Sequence, residues 1–134
     1  MLTTLRIAGL AVVDEVEVRL GPGLNVLTGE TGAGKSLLVS ALHLVLGGRA
    51  GPDVVREGAE EAVVEAILEL PEGHPALERL EAAGVPPPER AEGGAAELLV
   101  RRVVSRTGRS RAFVNGALCT LGTLASALRG VGDL

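Results

Sequence analysis

Residues 24–42 read LNVLTGETGAGKSLLVSAL. Inside this stretch Gly29-Glu30-Thr31-Gly32-Ala33-Gly34-Lys35-Ser36 satisfies G-x-x-x-x-G-K-[ST] at every fixed position. Gly29, Gly32 and Gly34 let the backbone take conformations that a Cβ would forbid. Successive N–H groups can then converge on one anion. The apolar run before the loop predicts a strand, Leu24–Thr28. The segment after it, residues 35–46, predicts a helix that is apolar nearly all round and therefore buried on more than one side. A lysine at a helix N-terminus is unfavourable unless an anion sits there, because that end carries partial positive charge. Strand, glycine loop and buried helix in this order restrict the chain to an α/β phosphate-binding architecture. Lys35 would place its charge on the β- and γ-phosphates, and Ser36 would offer its hydroxyl to Mg²⁺.

Two strands precede the loop, Leu2–Ile7 and Val12–Leu20. The second alternates Val16, Val18 and Leu20 against Glu15, Glu17 and Arg19, the pattern of a half-buried strand. Gly47-Gly48 predicts the end of the loop helix. Ala62–Leu70 is ambiguous between helix and strand, and a strand is the preferred reading. Pro75–Ala83 predicts a short helix, and the Pro/Gly-rich residues 84–96 an exposed loop. Leu98–Val104 and Ser110–Val114 predict a hairpin across residues 106–109. Asn115-Gly116 signals a second tight turn. Thr120 can cap a last helix over residues 121–129.

The 134 residues suffice for one domain. One Phe and no Tyr or Trp mean that the core must be built from Leu, Val, Ala and Ile. The net charge of −4 gives no basic footprint for the molecule as a whole. Charge is uneven, however. Arg101, Arg102, Arg106, Arg109 and Arg111 fall in one stretch with no acid, and residues 57–97 are mostly acidic. The single Cys119 cannot form an internal disulfide, which fits a reducing compartment, and it reads as a small core residue. No apolar run approaches the ~20 residues of a membrane span. A cytoplasmic location is expected. His43 reads as a core or boundary residue of the loop helix and His74 as a turn residue; neither has a partner for catalysis.

Phosphoryl transfer needs an acid that positions metal and water as well as a phosphate cradle. Leu10–Glu15 (LAVVDE) mimics the apolar-then-acid pattern of such a strand. It precedes the loop, however, and its alternation continues through Leu20, so Asp14 and Glu15 read as part of a strand with one solvated face. No other acid fits. The chain is therefore expected to bind nucleotide without hydrolysing it alone, the acid coming from elsewhere. A small P-loop kinase or phosphotransferase would need an acceptor lid and a base, and neither is evident. A non-catalytic DNA-binding or interaction module that keeps the loop as a relic is a third reading.

The order of elements resembles the head domain of SMC and ABC-type ATPases, and in detail the RecN family of bacterial SMC-like DNA double-strand-break repair ATPases. The matching stretches are LTTLRIAGLAVVDEVEVRL, LTGETGAGKS, ALHLVLGGRAGPDVVREG and LLVRRVVSRTGRSRAFVNG. They cover about three-quarters of the chain; residues 71–97 carry no resemblance. The resemblance implies an α/β fold of ABC/SMC head type. Residues 1–134 would be the N-terminal lobe, with a mixed or antiparallel sheet around the P-loop helix. Its parts would be a P-loop subregion at 24–48, a Pro/Gly-rich loop at 84–96 and an arginine-rich hairpin at 98–116. A glutamine loop just beyond Leu134, then a coiled coil and a C-terminal lobe with the signature motif and Walker B acid, would follow. The implied ligands are ATP and Mg²⁺, held by Gly29, Glu30, Thr31, Gly32, Ala33, Gly34, Lys35, Ser36 and Leu37. Ser36 is the metal ligand, and Leu37 stands where many relatives have Ser or Thr, so only its N–H could reach a phosphate. The implied partners are the C-terminal lobe, a second head in a homodimer and DNA backbone, with no membrane and a nucleoid-associated location. Arg56, or Arg49 in competition with it, falls near the place where SMC heads carry an arginine linking DNA to the ATP site; the plain alternative for both is a solvated surface arginine.

The hairpin arginines Arg101, Arg102, Arg109 and Arg111, with Arg106 between, admit three readings. They could neutralise DNA phosphates, protect an edge hairpin from aggregation, or dock onto the rest of the head. Without aromatic neighbours, base stacking is not expected, and any DNA contact would be to backbone.

Overall fold

The computed structural model describes residues 2–10, 13–19, 40–71, 73–85, 89–90 and 96–128. Strands β1 (Leu2–Leu10) and β2 (Val13–Arg19) come first, and residues 40–45 are the described part of helix α1. A 3₁₀ turn, Pro52–Val54, leads to β3 (Glu61–Leu70), so the ambiguous segment is a strand. Helix α2 (Pro75–Ala82), β4 (Glu89–Arg90), β5 (Ala96–Ser105), β6 (Ser110–Val114), β7 (Ala117–Cys119) and α3 (Leu121–Ala127) complete the order. The expected strand at 24–28 lies outside the described residues.

The strands form one sheet in the order β2-β1-β3-β5-β6-β7, with β4 pairing β5 beside that path. Every described pairing is antiparallel. The centre is the long β3–β5 ladder, from Glu61 opposite Ser105 to Leu70 opposite Ala96. Alternation then sorts the two faces. On the inner face Ala62, Val64, Ala66, Leu68 and Leu70 of β3 are buried, as are Leu98, Val100 and Val104 of β5 and Ala112 and Val114 of β6. Leu5 and Ile7 of β1 join them. Ala41, Leu44 and Val45 of α1, Ala76 and Leu80 of α2, and Leu124, Ala127 and Leu128 around α3 belong to the same apolar cluster. The core is thus aliphatic throughout, as the composition requires. The one aromatic residue, Phe113, is on the outer face, opposite Leu118 on one side and Arg101 on the other.

Local chemistry explains the element ends. His74 caps α2, its Nδ1 accepting from the Ala76 N–H at 3.0 Å, and Pro75 occupies the first helical position, where its missing N–H costs nothing. Thr120 caps α3 through its Oγ1, which accepts from the Thr123 N–H at 3.1 Å. Asn115 (φ 51°) and Gly116 (φ 84°) are both left-handed, as a two-residue turn between β6 and β7 requires. The Pro/Gly-rich 84–96 stretch is not wholly the exposed loop expected from sequence. Val85 is buried, and Glu89 and Arg90 add a short strand beside β5.

Candidate nucleotide-binding site

The phosphate-loop residues Gly29, Glu30, Thr31, Gly32, Ala33, Gly34, Lys35, Ser36 and Leu37 lie outside the described residues. The structure does describe residues 40–45 of α1, which follow the motif in sequence, and the sheet they pack on. Helix α1 stops in a Schellman motif. Gly48 N–H bonds the His43 carbonyl at 2.8 Å, and Gly47 N–H bonds the Leu44 carbonyl at 3.2 Å. Gly47 takes φ 94°, and a Cβ there would approach the Ala125 backbone nitrogen of α3 to 2.8 Å. Only glycine meets both conditions. His43 is exposed rather than in the core, with its ring against Gly48, where a side chain would collide with it.

Arg102 comes up from β5 beneath this helix end. It occupies the inner-face row between Val100 and Val104 and has no exposed surface. Its Nη1 donates to the Leu44 carbonyl at 2.8 Å and the Gly48 carbonyl at 2.6 Å, and its Nε donates to Ser110 Oγ at 2.8 Å. Its Nη2 is buried with no hydrogen-bond partner among the described residues. Burial pulls its pKa below the ordinary guanidinium value, yet arginine stays charged inside proteins. Among the described residues no carboxylate bonds it. The compensation comes instead from three charge-assisted bonds, each worth roughly 1.5–3 kcal/mol, and from the negative end of the α1 dipole, worth up to ~2 kcal/mol in partly buried geometry. Together these match a desolvation cost of several kcal/mol.

This position removes Arg102 from the exposed basic set. Arg101, Arg106, Arg109 and Arg111 are exposed. Arg101 and Arg111 share the outer face on neighbouring strands, since Arg101 stands opposite Phe113 and Val103 opposite Arg111. Arg101 also stands opposite Glu65, which stands opposite Arg6, so charge alternates across β1, β3 and β5. The Arg109 carbonyl closes the hairpin loop with the Ser105 N–H at 2.7 Å. Arg49 is exposed just beyond the α1 end, while Arg56 is half-buried and its N–H bonds the Gly9 carbonyl of β1 at 2.7 Å. Asp14 and Glu15 lie within β2, at the end of the described strand order away from the hairpin. Cys119 is half-buried against the core, and burial raises its thiol pKa. No helix among the described residues is long and apolar enough to cross a membrane.

A family model described as an AAA domain matches residues 4–82, more than half of the chain. The chain belongs to the AAA-domain family. Membership implies a nucleotide ligand. This AAA-domain chain is 41% identical over 124 residues to the DNA repair protein RecN of Halalkalibacterium halodurans, covering 92% of the chain and 21% of the relative. It is 45% identical over 121 residues to RecN of Streptomyces coelicolor, covering 90% of the chain and 20% of the relative. The chain thus spans about a fifth of the length of the curated relatives it matches. Among solved structures, the SmcHead bound to the C-winged helix domain of ScpA superposes with a TM-score of 0.70 at 23% identity, over 99% of this chain and 41% of that one. The resemblance to RecN and the SMC-head fold, both read from the sequence, are borne out.

Proposed function

We propose that this chain is the ATP-binding lobe of a RecN-like DNA double-strand-break repair and recombination ATPase. The observation that carries the reading is the intact GETGAGKS motif inside the matched AAA-domain region. The donor set suits a magnesium triphosphate: main-chain N–H groups of residues 29–34, the Lys35 ammonium and the Ser36 hydroxyl. The bound metal ion would neutralise charge on the β- and γ-phosphates. Supporting features are the glycine stop at residues 47–48 and the Arg102 cap, which hold the described end of α1 on the sheet.

In this reading the rest of the protein supplies the C-terminal lobe, and nucleotide draws two heads together in a homodimer. Hydrolysis then requires the signature motif and the acid that this chain lacks. Arg101, Arg106, Arg109 and Arg111 are available for DNA backbone, with Arg49 just beyond the helix end and Arg56 beside β1 as candidate links to the nucleotide. Arg102 is not among them, because it is buried. The working location is the cytoplasm, at the nucleoid.

Titration of ATP·Mg²⁺ into the wild type and Lys35→Ala tests the proposal by calorimetry. The wild type should bind at least roughly tenfold more tightly, since each 1.4 kcal/mol of lost phosphate contact is a factor of ten. Equal affinity for the two chains would rule the proposal out. Turnover of a small acceptor by this chain alone would replace it with a kinase.

A further inference from the structure

We infer that Arg102 is a positioning residue for the nucleotide site, holding the phosphate-loop helix from behind. The inference rests on the nucleotide-binding reading above. Its physical basis is the difference between what Arg102 costs and what simple packing would need. The flanking positions of the same inner row are Val100 and Val104. An aliphatic side chain at 102 would continue that row without burying a charge, and such replacements are often neutral or stabilising. Arginine here buries its charge and leaves Nη2 without a hydrogen-bond partner among the described residues. What an aliphatic residue cannot supply is direction.

The guanidinium joins three elements through one rigid plane: it stands on β5, takes Ser110 of β6, and takes two carbonyls at the end of α1. Those two carbonyls, of Leu44 and Gly48, lie on either side of the glycine turn that ends the helix. Two donors across that turn oppose both sliding and rotation of α1 on the sheet. In the helix expected over residues 35–46, a constraint at one end would set the placement of the other. The chain places Lys35 and Ser36 ahead of this same helical stretch. Charge acts in the same sense, because a cation at the C-terminal end and an anion at the N-terminal end both stabilise one helix dipole. Ser110 immediately follows Arg109 of the exposed loop. The same contact therefore ties the basic hairpin to the helix.

The test measures melting temperature and ATP·Mg²⁺ affinity for Arg102→Lys, Arg102→Met and Ser110→Ala, beside wild type and Lys35→Ala, well below each melting point. Packing and positioning predict opposite orders. Methionine fills volume without burying a charge, so Arg102→Met should melt at or above Arg102→Lys. Lysine can still donate to the two carbonyls, so Arg102→Lys should bind nucleotide more tightly than Arg102→Met. Both should bind roughly 2- to 30-fold more weakly than wild type, the range for residues that couple without touching ligand, with Ser110→Ala between. Folded Arg102 variants that all match wild-type affinity, while Lys35→Ala does not, overturn the inference and leave the nucleotide reading intact. A wild type no better than Lys35→Ala removes that reading and this inference with it. If neither Arg102 variant folds, a folded Ser110→Ala with unchanged affinity overturns it.

Discussion

Strand β5 contains three pairs of identical neighbours, Leu98-Leu99, Arg101-Arg102 and Val103-Val104; the sheet buries both valines but treats the members of the first two pairs differently. Leu98 is 1% exposed on the inner face, whereas Leu99 is 40% exposed on the outer face. Arg102 is buried against the end of α1, whereas Arg101 is exposed across from Glu65. A one-residue step along a strand exchanges faces, so residue type says little here until parity is known. The inner face is a dry aliphatic layer with one directional charge in it. The outer face mixes Arg6, Glu65, Arg101 and Arg111 with Ile67, Leu99, Phe113 and the 69%-exposed Leu118. The inner face fixes the helix behind the phosphate loop; the outer one is what solvent or a partner meets.

The leucine pair gives the largest expected contrast. Leu98→Ala should lose about 2–5 kcal/mol of stability, the range for a buried leucine that leaves a cavity. Leu99→Ala should lose about 1 kcal/mol, because part of that side chain is already in water. Urea melts of the two variants measure the difference. Equal losses would mean that the outer face is packed as tightly as the inner one, and the comparison would break.

The arginine pair comes next. Arg102→Ala strips the donor from the Gly48 and Leu44 carbonyls and from Ser110, and a buried acceptor left without a partner costs about 1–3 kcal/mol. Leu44 keeps its bond from the Gly47 N–H, so the Gly48 carbonyl should carry most of that cost. Arg101→Ala should change stability by less than about 1 kcal/mol, as exposed charges do. Added salt should leave the Arg102 effect nearly unchanged, because a buried contact is poorly screened.

Much of this architecture was legible in the sequence because periodicity and punctuation agreed. The hairpin, the Asn115-Gly116 turn, the Thr120 cap and the Gly47-Gly48 stop each rest on local chemistry that needs no knowledge of distant contacts. Ala62–Leu70 was ambiguous because its apolar positions satisfy more than one period; the long pairing with β5 decides for a strand. Val85 and the short β4 were missed because proline and glycine around them mask a contact made only in three dimensions. Arg102 differs from the other hairpin arginines for another reason. All three readings of the cluster treat it as surface, whereas the parity of Leu98, Val100, Arg102 and Val104 places Arg102 with the buried row. That signal was present. What it lacked was a partner, since the carbonyls that receive Arg102 lie at positions 44 and 48, more than fifty residues away in the chain.

The smallest expected effect tests the outer face on its own terms. Arg101 stands between Glu65 on β3 and Phe113 on β6. Arg101→Glu would set two carboxylates directly opposite one another, and cross-strand pairs of this kind differ by about 0.2–1 kcal/mol. The loss should shrink as salt rises, because exposed charges are screened within ~10 Å at 0.1 M. In a Glu65→Gln background the same reversal should cost less, since no carboxylate would then face it across the ladder. If the reversal costs nothing at low salt in either background, the charge pair between Glu65 of β3 and Arg101 of β5 has no energetic weight. Arg101 would then gain nothing from facing Glu65, and its use would have to be sought outside this pair.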